Sequence, residues 1–243
     1  SDLTGIEDFI ALQTLNCSGN DLALLNLSTN VALETLDCSS NSLTRLNLIT
    51  NATLTTLNCS VNNISSLDLS AQTNLDNLNC AENKLSELDL SFNAALTDIN
   101  VSKNELVSLN VDNGFNANIT AFDATGNTIL ICIQIDNLFT PPDGSTDPLD
   151  PSLGWFKETT ASYNSNCDLT YIPDDNFENY LETHDAAGAV VTLGDSSSMG
   201  DGFMNNFVPT NIINTITNLD VPNFGISDLT GIEDFIALQT LNC

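Results

Sequence analysis

Positive charge is what this sequence most lacks. Arg45, Lys84, Lys103 and Lys157 are its only basic residues beside a single histidine, His184, against 32 Asp and Glu, for a formal net charge of −28. Nucleic acid and anionic membrane surfaces are gripped through Lys and Arg, so neither is an expected partner. Long apolar runs are missing too: none approaches the ~18 residues needed to cross a bilayer, so no membrane insertion is expected in this segment. Aromatics are scarce. Between residues 12 and 111 the only one is Phe92, which leaves few platforms for stacking sugars and few anchors of the Trp or Tyr kind for a protein partner. Proline is absent before Pro141, the first of all seven, so a regular region gives way to a looped one. Catalysis has little support: Gly194-Asp195-Ser196 has the look of a nucleophile block, but no histidine follows it in the chain, and no enzyme is expected.

What is present is repetition, at two scales. Residues 1–17, SDLTGIEDFIALQTLNC, recur letter for letter at 227–243, an offset of 226 residues. Such an identity at domain-sized spacing reads as a tandem array of near-identical domains, of which this chain is a window holding one period plus the overlap. Neighbouring copies of the same module are then its first expected partners. Cys243 is the repeat of Cys17, so the odd total of seven cysteines hides an even number per period.

The inner repeat has 21 residues and starts at Leu12: LQTLNCSGNDLALLNLSTNVA, LETLDCSSNSLTRLNLITNAT, LTTLNCSVNNISSLDLSAQTN, LDNLNCAENKLSELDLSFNAA and LTDINVSKNELVSLNVDNGF, with a degenerate sixth unit from Ile119 after a two-residue insertion. A fixed period of this length means a solenoid, in which stacked units bury a core that one alone cannot. Each unit nests two half-motifs whose alternation has period 2. Leu15 and Cys17 therefore point inward while Thr14, Asn16 and Ser18 point out, and two parallel sheets are expected, one through Leu15 and Cys17 and one through Leu25 and Leu27. The column Asn20, Asn41, Asn62, Asn83, Asn104 and Asn127 falls where the chain bends. An inward amide there can satisfy backbone groups of its own and adjacent coils. A looser second column is Asn30, Asn51, Gln72 and Asn93.

Cys17, Cys38, Cys59 and Cys80 form a third column, read as small buried hydrophobes because Val101 and Ala124 take the same place in later units. Column members point the same way and cannot converge on zinc. Cys132 and Cys167 lie outside the repeat and are free to pair. A disulfide between them would staple the intervening loop by roughly 3 kcal/mol and imply an oxidising, extracytoplasmic setting.

The pattern resembles the bacterial secreted and surface leucine-rich repeat proteins of the 21-residue nested type, LxxLxCxxNxLxxLDLxxN, over Leu12 to about Asp136. Cys132-Ile133-Gln134-Ile135-Asp136, then Trp155 and Cys167, resemble that group's C-terminal cap. Ile172-Pro173-Asp174-Asp175-Asn176-Phe177-Glu178 resembles the start of its N-terminal cap. The resemblance implies binding or scaffolding rather than a reaction.

The expected fold is thus a leucine-rich repeat solenoid, mainly β, with two short parallel sheets, a small α-containing N-cap and an irregular, disulfide-stapled C-cap. The divisions are 1–11, the end of an N-cap; 12–136, the solenoid; 137–167, a C-cap covering the last coil with Leu138, Phe139, Trp155 and Phe156; 168–237, the N-cap of the next module; and 238–243, its first coil. In that N-cap Asp174 or Asp175 can cap a helix whose Phe177, Tyr180 and Leu181 share one face. Residues 212–221 read as a strand, and Thr230-x-x-Glu233 as a capping box. His184 follows the helix and reads as a solvated surface residue.

Calcium is the one cofactor for which the sequence offers ligands: Asp143, Asp147 and Asp150 in PPDGSTDPLDP, and Asp195 and Asp201, with Asp185, flanking Gly-rich loops. Turn chemistry explains aspartate beside glycine and proline equally well. The outward sheet faces are flat, polar and regular. Two functions are consistent with all this. The first is a structural module of a tandem-array extracellular protein, forming a surface filament, stalk or adhesin shaft. The second is a ligand-binding adhesin module recognising a glycan, a protein or ice.

Overall fold

The computed structural model describes residues 3–141, 154–157, 161–164, 167–202, 204 and 206–243. They fall into two compact units, Ser1–Ser165 and Asn166–Cys243.

In the first unit the L-x-C alternation makes one three-residue strand per coil: β1 (Thr14–Asn16), β2 (Thr35–Asp37), β3 (Thr56–Asn58) and β4 (Asn77–Asn79). The second half-motif adds β5 (Glu87–Asp89), after which the two alternate through β6 (Asp98–Asn100), β7 (Ser108–Asn110), β8 (Ala121–Asp123), β9 (Cys132–Gln134), β10 (Trp155–Phe156) and β11 (Ser162–Asn164). The first sheet is parallel throughout, in the order β1-β2-β3-β4-β6-β8-β10. Its register aligns Leu15, Leu36, Leu57, Leu78, Ile99, Phe122 and Trp155, so each inward side chain stacks on its equivalent one coil away. From Leu36 onward every member of this row is buried.

The second sheet differs from expectation. It holds only β5, β7, β9 and β11 among the described residues, and the half-motifs at 25–27, 46–48 and 67–69 are not strands. Leu27, Leu48 and Leu69 are buried there all the same. Side-chain stacking suffices to close the core on that side, and backbone groups left unpaired at a surface can bond water.

The region expected to be an irregular C-cap instead extends both sheets, since β10 and β11 complete a further, degenerate coil. Trp155 is buried and stacks on Phe122 with ring centroids 4.5 Å apart, and Phe139 packs against it at 5.1 Å. Leu138 covers nothing; it is 94% exposed.

The second unit has its own core, built by Ile172, Phe177, Leu181, Val208, Ile213, Leu219 and Phe235. Strand β12 (Leu169–Tyr171) leads to helix α1 (Asp175–Thr183), then β13 (Phe207–Pro209), the single turn α2 (Thr210–Ile213), β14 (Asn218–Asp220) and β15 (Thr240–Asn242). β12 and β13 are antiparallel; β14 and β15 are parallel. Asp174 caps α1 as its position suggests, accepting from the amides of Asn176 and Phe177 at 3.0 Å each.

Two local expectations fail here. Residues 212–221 do not form one strand: Asn214 N–H bonds Thr210 O, and the Thr215 hydroxyl bonds Ile212 O, closing a helical turn before the strand begins at Asn218. Nor is Thr230-x-x-Glu233 a capping box. The short 3-10 helix Ile232–Asp234 starts from Gly231 in the left-handed region (φ 95°), Glu233 accepts from the Gly231 amide, and the Thr230 hydroxyl turns to Asp228 instead. A side chain at 231 is excluded, because its Cβ would lie 2.3 Å from Ile172 Cδ1.

Candidate functional site

The asparagine column forms a continuous ladder. Asn83 Nδ2 donates to the carbonyls of Cys59 (3.0 Å), Cys80 (3.1 Å) and Ala81 (3.3 Å), and its Oδ1 accepts from Ile64 N–H at 2.9 Å. Asn41, Asn62 and Asn104 repeat that set, joining each coil to the one before it. Asn127 bonds Val101 O, Ala124 O and Leu106 N–H, while Asn20 bonds the carbonyls of Cys17 and Ser18.

The second column is served on one side only. Asn51 Nδ2 reaches Leu27 O and Asn30 O, and Gln72 and Asn93 do likewise, yet the side-chain oxygens of Asn30, Asn51, Gln72 and Asn93 are buried with no hydrogen-bond partner.

Sequence reasoning missed one companion of the ladder. The residue before each asparagine lies in the left-handed region: Gly19 (φ 65°), Ser40 (53°), Val61 (54°), Glu82 (55°), Lys103 (52°) and Gly126 (74°). The two glycines at that column position were the available signal.

Cys17, Cys38, Cys59 and Cys80 are free, buried thiols. Burial raises all four, Cys59 well above the ordinary range and Cys80 to about 12. They are protonated and inert near neutrality, as small apolar side chains would be. Cys132 and Cys167 are disulfide-bonded, and Cys243 is free and exposed.

Of the carboxylates proposed for calcium, only Asp185, Asp195 and Asp201 lie among the described residues. Asp143, Asp147 and Asp150 lie outside the described residues. Asp195 accepts from the amide and hydroxyl of Ser197, which holds its carboxyl below the usual range, and the Asp201 amide donates to Glu182. Among the described residues no three His, Cys, Asp or Glu form a group suited to a metal.

His184, expected in solvent, is buried: its ring stacks on Tyr180 at 4.0 Å, with Nδ1 2.9 Å from Tyr180 O. Beside it on α1 are two buried carboxylates that the sequence did not signal, Glu178 and Glu182. Glu182 fills the space a side chain at Gly200 would take and accepts from the amides of Asp201 (2.7 Å) and Gly202 (2.6 Å). Burial pushes its pKa up to about 7, against the opposing pull of those two amides.

Shallow troughs run along the outward faces. On the first sheet one of about 400 Å³ is lined by polar residues including Asn58, Asn79, Asn100 and Asp123. Their side-chain oxygens are already engaged: each accepts from the amide two residues on, and most also from its hydroxyl. On the second side a trough of about 500 Å³ brings the exposed ring of Phe92 together with Asp68, Glu87, Asp89, Asn110 and Gln134. Asp68 there is held below its ordinary value by the hydroxyl and amide of Ser70.

The duplicated segment supplies a different kind of site. Both copies fold alike: 3-10 turns at Ile6–Asp8 and Ile232–Asp234 start from Gly5 (φ 100°) and Gly231 (φ 95°), with Glu7 and Glu233 accepting the preceding glycine amide at 2.9 Å. Their surroundings are opposite. Phe9 is 61% exposed and Phe235 is 3% exposed, stacked 6.1 Å from Phe177, whereas Cys17 is buried and Cys243 exposed. One copy has the solenoid behind it and the other has the cap in front.

No protein-family model matches the chain, and no curated protein matches it. Among solved structures it is similar to the functional domain of InlJ from Listeria monocytogenes, described as including a cysteine ladder, with a TM-score of 0.51 and 28% sequence identity. The match covers 65% of this chain and 37% of that one, so the chain spans little more than a third of the matched protein's length. The fold is that of a leucine-rich-repeat-like solenoid. Its stacked Cys17, Cys38, Cys59 and Cys80 form a column at 21-residue spacing, and no helix among the described residues is long and apolar enough to cross a membrane.

Proposed function

We propose that this chain is a structural module of a tandem-array, extracellular bacterial protein that builds a surface filament, stalk or adhesin shaft, and that it carries no catalytic activity of its own. The observation that carries this reading is the pair of identical segments in complementary surroundings. Placed in one position, a single segment 1–17 would have both the cap that covers Phe235 and the solenoid that covers Cys17. That is the environment of a junction between successive modules. The disulfide-bonded Cys132 and Cys167 support an oxidising setting, and the similarity to InlJ of Listeria monocytogenes supports a bacterial protein. The strong negative charge suits a long, soluble, self-repelling array.

A second reading rests on the Phe92 trough, where an exposed aromatic ring beside carboxylates and amides offers the elements of a glycan site. Electron microscopy of the native surface and of the purified full-length protein separates the two. A periodic fibre with one module per axial repeat is the expected result; isolated flexible beads that bind a defined glycan would overturn the structural reading.

A further inference from the structure

One coil of the solenoid departs from its own period at three outward positions. Where the first two units carry Leu24, Asn26 and Thr29, then Arg45, Asn47 and Thr50, the fourth carries Glu87, Asp89 and Phe92. Outward positions do not build the core, so the fold places no demand on them. All three departures line the same trough of about 500 Å³, with Asp68 of the preceding unit beside them. Its coils are inner ones, with described coils on either side. Phe92 is 56% exposed, while Leu67 and Leu88, the other apolar residues at the trough, are buried. Asp68 and Asp89 each commit one oxygen to the amide two residues on, at 2.9 Å, which holds the side chain in place. Their second oxygens and the Glu87 carboxylate have no partner among the described residues, and no Lys or Arg lines the trough. Asp68 and Asp89 stand at equivalent positions one coil apart, roughly 5 Å by the spacing of stacked strands, where like charges destabilise one another. A positive ligand relieves that repulsion.

We propose that the Phe92 trough takes a cationic glycan, a chain of unacetylated amino sugars whose ring face lies on Phe92 while its ammonium groups meet Asp68, Glu87 and Asp89. A basic peptide matches the charge but not the surface. Peptide docking relies on apolar side chains sunk in pockets, and a single ring in a shallow polar trough supplies none. A neutral sugar matches the ring but leaves three carboxylates uncompensated. An amino sugar answers both, since each of its rings presents an apolar face and one ammonium group. This charge requirement sharpens the glycan reading of the trough and rests on that reading for the class of ligand.

Calorimetry of the full chain, in mild acid with a chelator present, compares a β-1,4-linked glucosamine oligomer with its fully N-acetylated counterpart, which has the same rings and no charge. The amine form should bind about tenfold more tightly. Asp68→Asn/Asp89→Asn should erase that margin and leave the weaker affinity for the acetylated chain as it was. The fold tolerates this pair, because Asn26, Asn47 and Asn110 hold the same position in other units and accept the same amide. Phe92→Ala, which copies Ala71 of the preceding unit, should weaken both oligomers about tenfold, and Phe92→Tyr should not. Equal affinity for the two oligomers would overturn the cationic ligand and leave the glycan reading standing. If neither oligomer binds, both fail. A preference for the amine form that survives Phe92→Ala, or that oligolysine matches, would reduce the trough to unspecific charge attraction and overturn the proposal.

Discussion

The two units bury polar groups in opposite ways. In the solenoid every buried polar side chain among the described residues is neutral: asparagines, Gln72 and two serines, most of them tying one coil's backbone to the next. The cap unit, less than half as long, buries Asp174, Glu178, Glu182 and His184. A periodic coil presents the same orphan carbonyls at every turn, and one repeated amide answers them all. The cap has no period, so it satisfies irregular loop amides with carboxylates suited to each place, as Asp174 does for Asn176, Phe177, Ser227 and Asp228. Amides do not titrate and carboxylates do, so among the buried polar groups those of the cap are the ones that respond between pH 5 and 8.

The sharpest way to break this contrast is to remove a rung. Asn83→Ala strands the carbonyls of Cys59, Cys80 and Ala81 and the Ile64 amide, and should destabilise the solenoid by about 3 to 4 kcal/mol. The same change in the half-served column, Asn93→Ala, removes two donated bonds but also an unpartnered buried oxygen, and should cost about half as much. Urea melts of the full chain measure both, and equal losses at the two sites would contradict the ladder's special standing.

The next largest effect separates the units by pH. Glu182 is raised in the folded cap, so its contribution to stability is fully present below the unfolded carboxylate value of about 4.3 and is lost as pH climbs through about 7. The sign is opposite for Asp174, held down at about 2 by the amide and hydroxyl of Ser227. Its contribution is present above about 3.9 and disappears as pH falls through about 2. Between pH 5 and 8 the cap should therefore weaken by on the order of 2 kcal/mol while the solenoid stays level. Hydrogen exchange at α1 and at β3 follows each unit separately. Glu182→Gln should flatten the cap's profile, and a cap whose protection is unchanged from pH 5 to 8 would remove the basis of the contrast.

How legible each unit was in the sequence follows the same divide. Periodicity made the solenoid readable because 21-residue spacing tests every position six times over. The ladder asparagines, the cysteine column and the inward leucines could each be placed from their repeats alone. The second sheet was over-read, since burial of Leu27 and Leu48 signals the core and says nothing about backbone pairing. In the cap each position is tested once. Asp174 and the apolar face of α1 were readable as local chemistry, but the burial of Glu182 and His184 depends on loops distant in sequence, at Gly200 and Phe224, that no local pattern announces. For the junction, the duplication was visible as letters, while its opposite surroundings needed coordinates.

The smallest predicted effect concerns the backbone that the ladder enforces. Val61 sits at φ 54°, a conformation that β-branched residues strongly resist and that asparagine and glycine tolerate. It persists because Asn62 fixes the bend on one side and the amide of Val61 bonds Ala81 O on the other. The side chain itself is largely exposed, so replacing it forfeits little packing. Val61→Asn should accordingly stabilise the solenoid by about 1 kcal/mol, read as a higher urea midpoint with an unchanged slope. Glycine should gain less, because its freer unfolded chain offsets part of the relief. At Gly126 the reverse holds, for a Cβ there would meet the Lys103 backbone at 3.0 Å, and Gly126→Ala should destabilise. If Val61→Asn lowered the midpoint instead, the left-handed position would be carrying no strain, and the ladder would have to be credited with less than the backbone geometry assigns to it.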